Sequence, residues 1–123
     1  MNNATTPGIQ NLMRIETLIA QDLSDILSKE NDNTNNINLY NNGEYWVAFE
    51  KSAYQLEQIS DNVNSTVVIR LKDRPFPLIF NTISNNDAKM FSKQTKQHHF
   101  LQLPTKSLNS QSFNAWYREL TEQ

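Results

Sequence analysis

Cysteine is missing from all 123 residues. That excludes disulfides, thiolate chemistry and Cys-based zinc sites. Glycine occurs only twice, which leaves no Gly-rich loop to cradle a phosphate. No apolar run approaches the ~20 residues that cross a bilayer. The N-terminus lacks the basic and apolar regions of a signal peptide, so the cytoplasm, with no membrane partner, is the expectation. No excess of positive charge is present either. Lys and Arg number 11 against 13 Asp and Glu, a net charge of -2, which argues against a general nucleic-acid binder. No G-x-S-x-G, Walker loop, H-E-x-x-H or EF-hand loop occurs. His98 and His99 are adjacent, so on a strand they point to opposite faces and cannot share a metal. Enzymatic activity, a cofactor, a metal and a small-molecule substrate are therefore not expected.

What is present fits one globular domain with its own core. Hydrophobic residues make up 37% of the chain. The charge is uneven. Residues 1–61 carry nine acids against three bases, and residues 62–123 carry four acids against eight bases. Such a division points to two faces with different partners. Seven Asn fall between Asn31 and Asn42. Asn favours turns over helices, so the stretch from Glu30 to Asn36 reads as a loop rather than as an Asn ladder.

Residues 1–6 are expected to form a disordered start, with Thr6 capping a helix and Pro7 inside its first turn. The single domain then covers 7–123. Ile9, Leu12, Ile15, Ile19, Leu23 and Ile26 recur at spacings of three and four, which predicts an amphipathic helix to about Lys29. Residues 37–40 alternate as a short strand, and Asn41-Asn42-Gly43 signals a turn. The period of Tyr45, Ala48, Phe49, Ala53, Leu56 and Ile59 predicts a helix over 45–59. Thr66–Leu71 and Phe76–Phe80 read as a hairpin around Lys72-Asp73-Arg74-Pro75. Asn85 or Asn86 caps a short helix over 87–95. Residues 100–103 form another strand, stopped by Pro104. Phe113, Trp116, Tyr117 and Leu120 mark a last, aromatic helix. Helices alternating with strands around one hairpin predict an α/β fold, a mixed β-sheet flanked by helices. Its core is expected to hold Phe49, Ala53, Leu56, Val67, Ile69 and Leu103.

The run from Asn38 to Ala53, with Tyr40, Gly43, Glu44, Tyr45-Trp46, Phe49 and Ala53, resembles the start of the mismatch-recognition domain of the DNA repair protein MutS. Phe100–Pro104, followed by Phe113, Trp116 and Leu120, is similar to a stretch near that domain's end. Together the two cover roughly 35–123. The resemblance implies the MutS N-terminal domain I fold, here with an additional N-terminal amphipathic helix. It places Gly43 at a sharp turn from strand to helix and Glu44 at the helix N-terminus. Phe49 and Ala53, one turn apart, would let that helix lie close on the sheet.

In that family an aromatic wedge stacks on the mispaired base, and a Glu two residues later hydrogen-bonds it. Those places are Tyr45 and Val47 here, so the wedge can still stack and the hydrogen bond is lost. The resemblance reaches only this domain, without the family's ATPase or clamp. It therefore implies a non-catalytic protein rather than a repair enzyme. Small MutS-like proteins accompany the reverse transcriptase of diversity-generating retroelements, which copies a template RNA with mutations at adenine. This implies an accessory protein that binds a reverse transcriptase and its template RNA or cDNA. The alternatives are a module reading distorted duplexes and an adaptor without nucleic acid. The candidate nucleic-acid residues are Tyr45, Arg70, Lys72, Arg74, Lys89, Lys93, Lys96 and Lys106, which supply stacking and phosphate contacts. The candidate partner-binding residues are Asp22 and Asp25 on the first helix and Trp116 and Tyr117 on the last.

Overall fold

The computed structural model describes residues 6–64, 66–91 and 99–122. The expected disordered start therefore lies outside the described residues, apart from Thr6, which already belongs to the first helix. The elements run α1 (Thr6–Asn31), β1 (Asn36–Asn41), β2 (Tyr45–Phe49), α2 (Glu50–Ile59), β3 (Val67–Ile69), β4 (Leu78–Ser84), α3 (Asn85–Ala88), β5 (Phe100–Pro104) and α4 (Ser110–Thr121). Among the described residues, no helix is long and apolar enough to cross a membrane.

The five strands form one sheet in the order β3-β4-β2-β1-β5. Every pairing is antiparallel, so the expected mixed sheet is corrected. The reason is a skipped position. Helix α2 carries the chain from β2 to β3, which lie in the same direction, and β4 then returns between them. Alternating helices and strands thus give a sheet with no parallel neighbours.

The helix expected over 45–59 begins only at Glu50. Tyr45–Phe49 is instead the strand that completes a hairpin with β1. Its residues are aromatic, β-branched or Ala, and Trp46 to Phe49 are sealed on both faces. Such a strand shows no alternation, and its run of apolar residues matches a helical period by coincidence. Gly43 consequently turns the chain between two strands. Its φ is +109°, a conformation that disfavours any side chain, and the Asn42 N–H donates to the Tyr45 carbonyl at 3.0 Å across the turn. Glu44 lies in this turn and not at a helix N-terminus.

Two cores sandwich the sheet. On one face Ile15, Ile19 and Ile26 of α1 pack on Tyr40, Val47, Phe49, Leu78 and Phe80. On the other, Ala53 and Leu56 of α2 and Ala88 of α3 pack on Ile37, Leu39, Trp46, Ala48, Ile83 and Leu101. Phe49 and Ala53 therefore serve opposite faces, which corrects the expected close approach through that pair. Phe49, Ala53 and Leu56 are fully buried as expected, whereas Val67, Ile69 and Leu103 are half-buried. The short helix starts at Asn85, capped by Ser84, whose hydroxyl accepts from the Asp87 N–H at 3.1 Å. It ends at Ala88, and 89–91 form turns, so the expected helix over 87–95 is shortened; 92–95 lie outside the described residues. Asn109 caps α4 through the Ser112 N–H at 3.0 Å.

Candidate nucleic-acid interface

The β3–β4 hairpin and the last helix build an open groove. Arg70 follows β3, and its Nη2 donates to the Thr121 carbonyl at 3.1 Å. A cation suits that place, because the C-terminal end of α4 carries partial negative charge. Pro75 and Pro77 flank Phe76. Two fixed φ angles and two missing N–H groups keep this segment stiff and out of the ladder. Phe76 is held 64% exposed. The Pro77 carbonyl accepts from the Tyr117 hydroxyl at 2.5 Å, which ties the segment to α4. Arg70, Phe76, Pro77, Tyr117 and Arg118, together with the acid Glu122, line a groove of about 330 Å³. Burial raises the Tyr117 phenol above its ordinary pKa, so the hydroxyl remains a donor.

The predicted site residues divide between the two ends of the sheet. Arg70, Lys72 and Arg74 surround the β3–β4 hairpin, Lys72 exposed and Arg74 half-buried. Lys106 is exposed past β5, near the opposite edge, and its carbonyl accepts from Gln55 at 3.1 Å. Tyr45 pairs with Ser84 at the far end of β4. Seven residues of strand put it about 20 Å from Leu78 and the hairpin. Lys89 is exposed at the end of α3, on that same far side. Lys93 and Lys96 lie outside the described residues. The expected basic set is therefore gathered only in part.

Tyr45 is half-buried on the sheet face that α1 covers, and Val47 on the same face is fully buried. A side chain at 47 is enclosed by the core and cannot reach a base. Asp22 and Asp25 are exposed on α1, where Asp25 pairs with Lys29. Trp116 and Tyr117 are half-buried against the domain itself. The Trp116 indole donates to Glu57 at 3.3 Å and its ring meets Tyr54 edge-on at 5.4 Å.

Sequence reasoning missed a buried polar cluster at the start of α2. Glu30 ends α1 and is 3% exposed. Its Oε1 accepts from the Ser52 N–H at 2.8 Å, and its Oε2 accepts from the Ser52 hydroxyl at 2.6 Å and from Asn38 Nδ2 at 2.8 Å. Glu30 thereby serves the N-terminus of α2, where Phe49 offers no capping side chain. Asn33 joins through the Ser52 hydroxyl at 3.2 Å, so two of the clustered Asn hold the core and are not merely loop residues. Burial raises the Glu30 pKa, and the hydrogen bonds offset this only in part.

Beside it, Glu50 adopts a left-handed backbone, φ +49°, and its Oε2 accepts from the Ile79 N–H at 3.0 Å. Burial pushes its carboxyl up to about 7. A non-glycine residue in this region carries strain and often marks a site. Nothing in the spacing of these acids announces the cluster, because the chain brings it together from α1, β1 and α2. Comparison with protein-family models, curated proteins and solved structures gives no match.

Proposed function

We propose that this chain is a non-catalytic accessory module that binds single-stranded nucleic acid through the groove of Arg70, Phe76 and Arg118. The observation that carries the reading is the exposed Phe76, stiffened between two prolines and flanked by two arginines. A protruding aromatic offers a base a stacking partner at small entropic cost, and neighbouring guanidinium groups meet the phosphates. The MutS-like motif around Gly43 to Ala53 extends the reading to a role beside a reverse transcriptase of a diversity-generating retroelement, on its template RNA or cDNA. The exposed Glu16, Asp22 and Asp25 on the outer side of α1 offer an acidic surface to a basic polymerase. The wedge position Tyr45 plays no part in this groove, so no preference for mismatched duplex is expected.

Fluorescence anisotropy with labelled single-stranded RNA and DNA tests the groove. Stacking is worth about 1–3 kcal/mol per base, so Phe76→Ala should weaken binding roughly 5- to 150-fold. Arg70→Gln with Arg118→Gln should flatten the salt dependence by about 1.4 in log–log slope. Wild-type affinity in Phe76→Ala, or no binding by wild type at low salt, refutes the reading. Co-purification with the polymerase, weakened by Asp22→Lys with Asp25→Lys, tests the acidic face.

A further inference from the structure

We infer that a second cleft, between the end of α1, the start of α2 and the β3–β4 loop, is a subsite for a phosphate monoester and holds the phosphorylated end of the bound strand. The inference rests on the single-strand reading and deepens it. The cleft encloses about 420 Å³, within the range of small-ligand sites. Its cationic walls are Arg74 and Lys51, joined by the hydroxyls of Ser24 and Ser28, one turn apart on α1.

Two observations point to an anion. Arg74 Nη1 is buried with no hydrogen-bond acceptor, an uncompensated donor that native structures rarely tolerate. Neither Arg74 nor Lys51 forms an ion pair among the described residues; Lys51 donates only to the Asn31 carbonyl at 3.2 Å. An anion entering the cleft adds negative charge beside these two cations, to which Glu50 is only a partial counterion. A monoester carries about -1.5 to -2 charge near pH 7 and three free oxygens, which matches two cations and two hydroxyls better than an internal diester does.

The carboxyl groups present do not defeat this. Glu30 is saturated by Ser52 and Asn38. Glu50, faced by Arg74, Glu30, Lys51 and Tyr117, is partly protonated at neutral pH and can donate to a phosphate oxygen. The cleft and the stacking groove draw on the same two elements, α4 and the β3–β4 loop. Phe113 borders the cleft, and Tyr117, one turn along α4, borders the groove. Arg74 and Phe76 are two residues apart on the loop between them.

The test uses one oligonucleotide sequence with a 5′-phosphate, a 3′-phosphate or only hydroxyl ends, measured by anisotropy, and adenosine monophosphate in a thermal-shift assay. One phosphorylated end should bind at least tenfold tighter than the hydroxyl-ended strand. In Arg74→Gln and in Lys51→Gln the ratio between phosphorylated and hydroxyl-ended strands should collapse towards one. Lys51 is half-buried at the helix start, so that variant keeps the test decisive if Arg74→Gln fails to fold. Equal binding of all three strands overturns the subsite and leaves the groove intact. Stabilisation by the mononucleotide, lost in Lys51→Gln, with no strand bound, supports the subsite for a free monoester and refutes the strand reading. No response to any probe overturns both.

Discussion

Under α1 the sheet presents Tyr40, Phe49 and Phe80, a tier of aromatic rings with centroids 5.8 Å and 6.1 Å apart, and the buried carboxylate of Glu30 beside it. Under α2 it presents Ile37, Leu39, Trp46 and Ile83, with α4 added outside as a third tier. That outer helix buries none of its residues fully. It holds on through the edges of Phe113 and Trp116 against Tyr54 and through three side-chain hydrogen bonds, to Glu57, to Pro77 and from Arg70. One face is thus stitched by charge and hydrogen bonds at its rim, and the other is apolar inside and loosely clad. The groove forms where the loosely clad layer meets the β3–β4 loop, and the cleft where that loop meets the ends of α1 and α2; local openings concentrate in weakly buried parts such as the outer layer.

The strongest way to break the α1 face is Phe49→Ala, which should cost about 3–5 kcal/mol in urea unfolding because the ring is fully buried. A cost below about 1 kcal/mol would mean that the ring does not anchor this face.

The pH dependence sharpens the contrast next. Burial raises the pKa of both Glu30 and Glu50 above the ordinary 4.5, Glu50 to about 7. The folded state then binds protons more tightly than the unfolded one. The contribution of Glu50 is complete below pH 4.5 and is lost as pH rises through about 7, and that of Glu30 is likewise lost as pH rises above its ordinary range. For Glu50 the loss is on the order of 3 kcal/mol. Glu50→Gln keeps an oxygen for the Ile79 N–H and should show a much smaller decline in Tm between pH 5 and pH 8. Parallel curves for the variant and wild type would remove Glu50 from the account.

The smallest effect belongs to the outer tier. Trp116→Phe keeps a ring but loses the bond to Glu57, worth about 0.5–1.5 kcal/mol. Hydrogen exchange should quicken over 110–121 and stay unchanged in β1 and β2. Uniform acceleration through the sheet would show that α4 is part of the main cooperative unit.

The helices with a clean periodic face, α1 and α4, were legible from spacing, and so was the β3–β4 hairpin from its turn residues. Strand β2 was not, because burial on both sides erases the alternation that marks a strand. Pro75 read as the end of the turn and Phe76-Pro77 as the start of the returning strand, which in fact begins at Leu78. The missing N–H groups of the two prolines were the signal that this run would stand outside the sheet. The Glu30 cap was illegible for a different reason. A carboxylate that serves a helix 20 residues away leaves no local pattern; Asn33 looked like a turn former and Asn38 like the polar side of a strand because their partners lie in α1 and α2. Charge asymmetry indicated a basic half, but not that the fold would send Arg70 and Lys89 to opposite ends of β4.

The register of the last strand has a consequence for synthesis. Strand β1 meets β2 through a two-residue turn, a local event on the microsecond scale. Its other edge waits for β5, where Tyr40 pairs with Phe100 and Asn36 with Pro104. At about 5–20 residues per second on the ribosome, that edge stays open for seconds after β1 has emerged. Along β1, Ile37 and Leu39 alternate with Asn36 and Asn38, and Asn41 ends the strand. Amides within the strand and at both of its ends make an unpaired edge less adhesive than an unbroken apolar strand, so the Asn-rich sequence guards the nascent chain until its partner arrives.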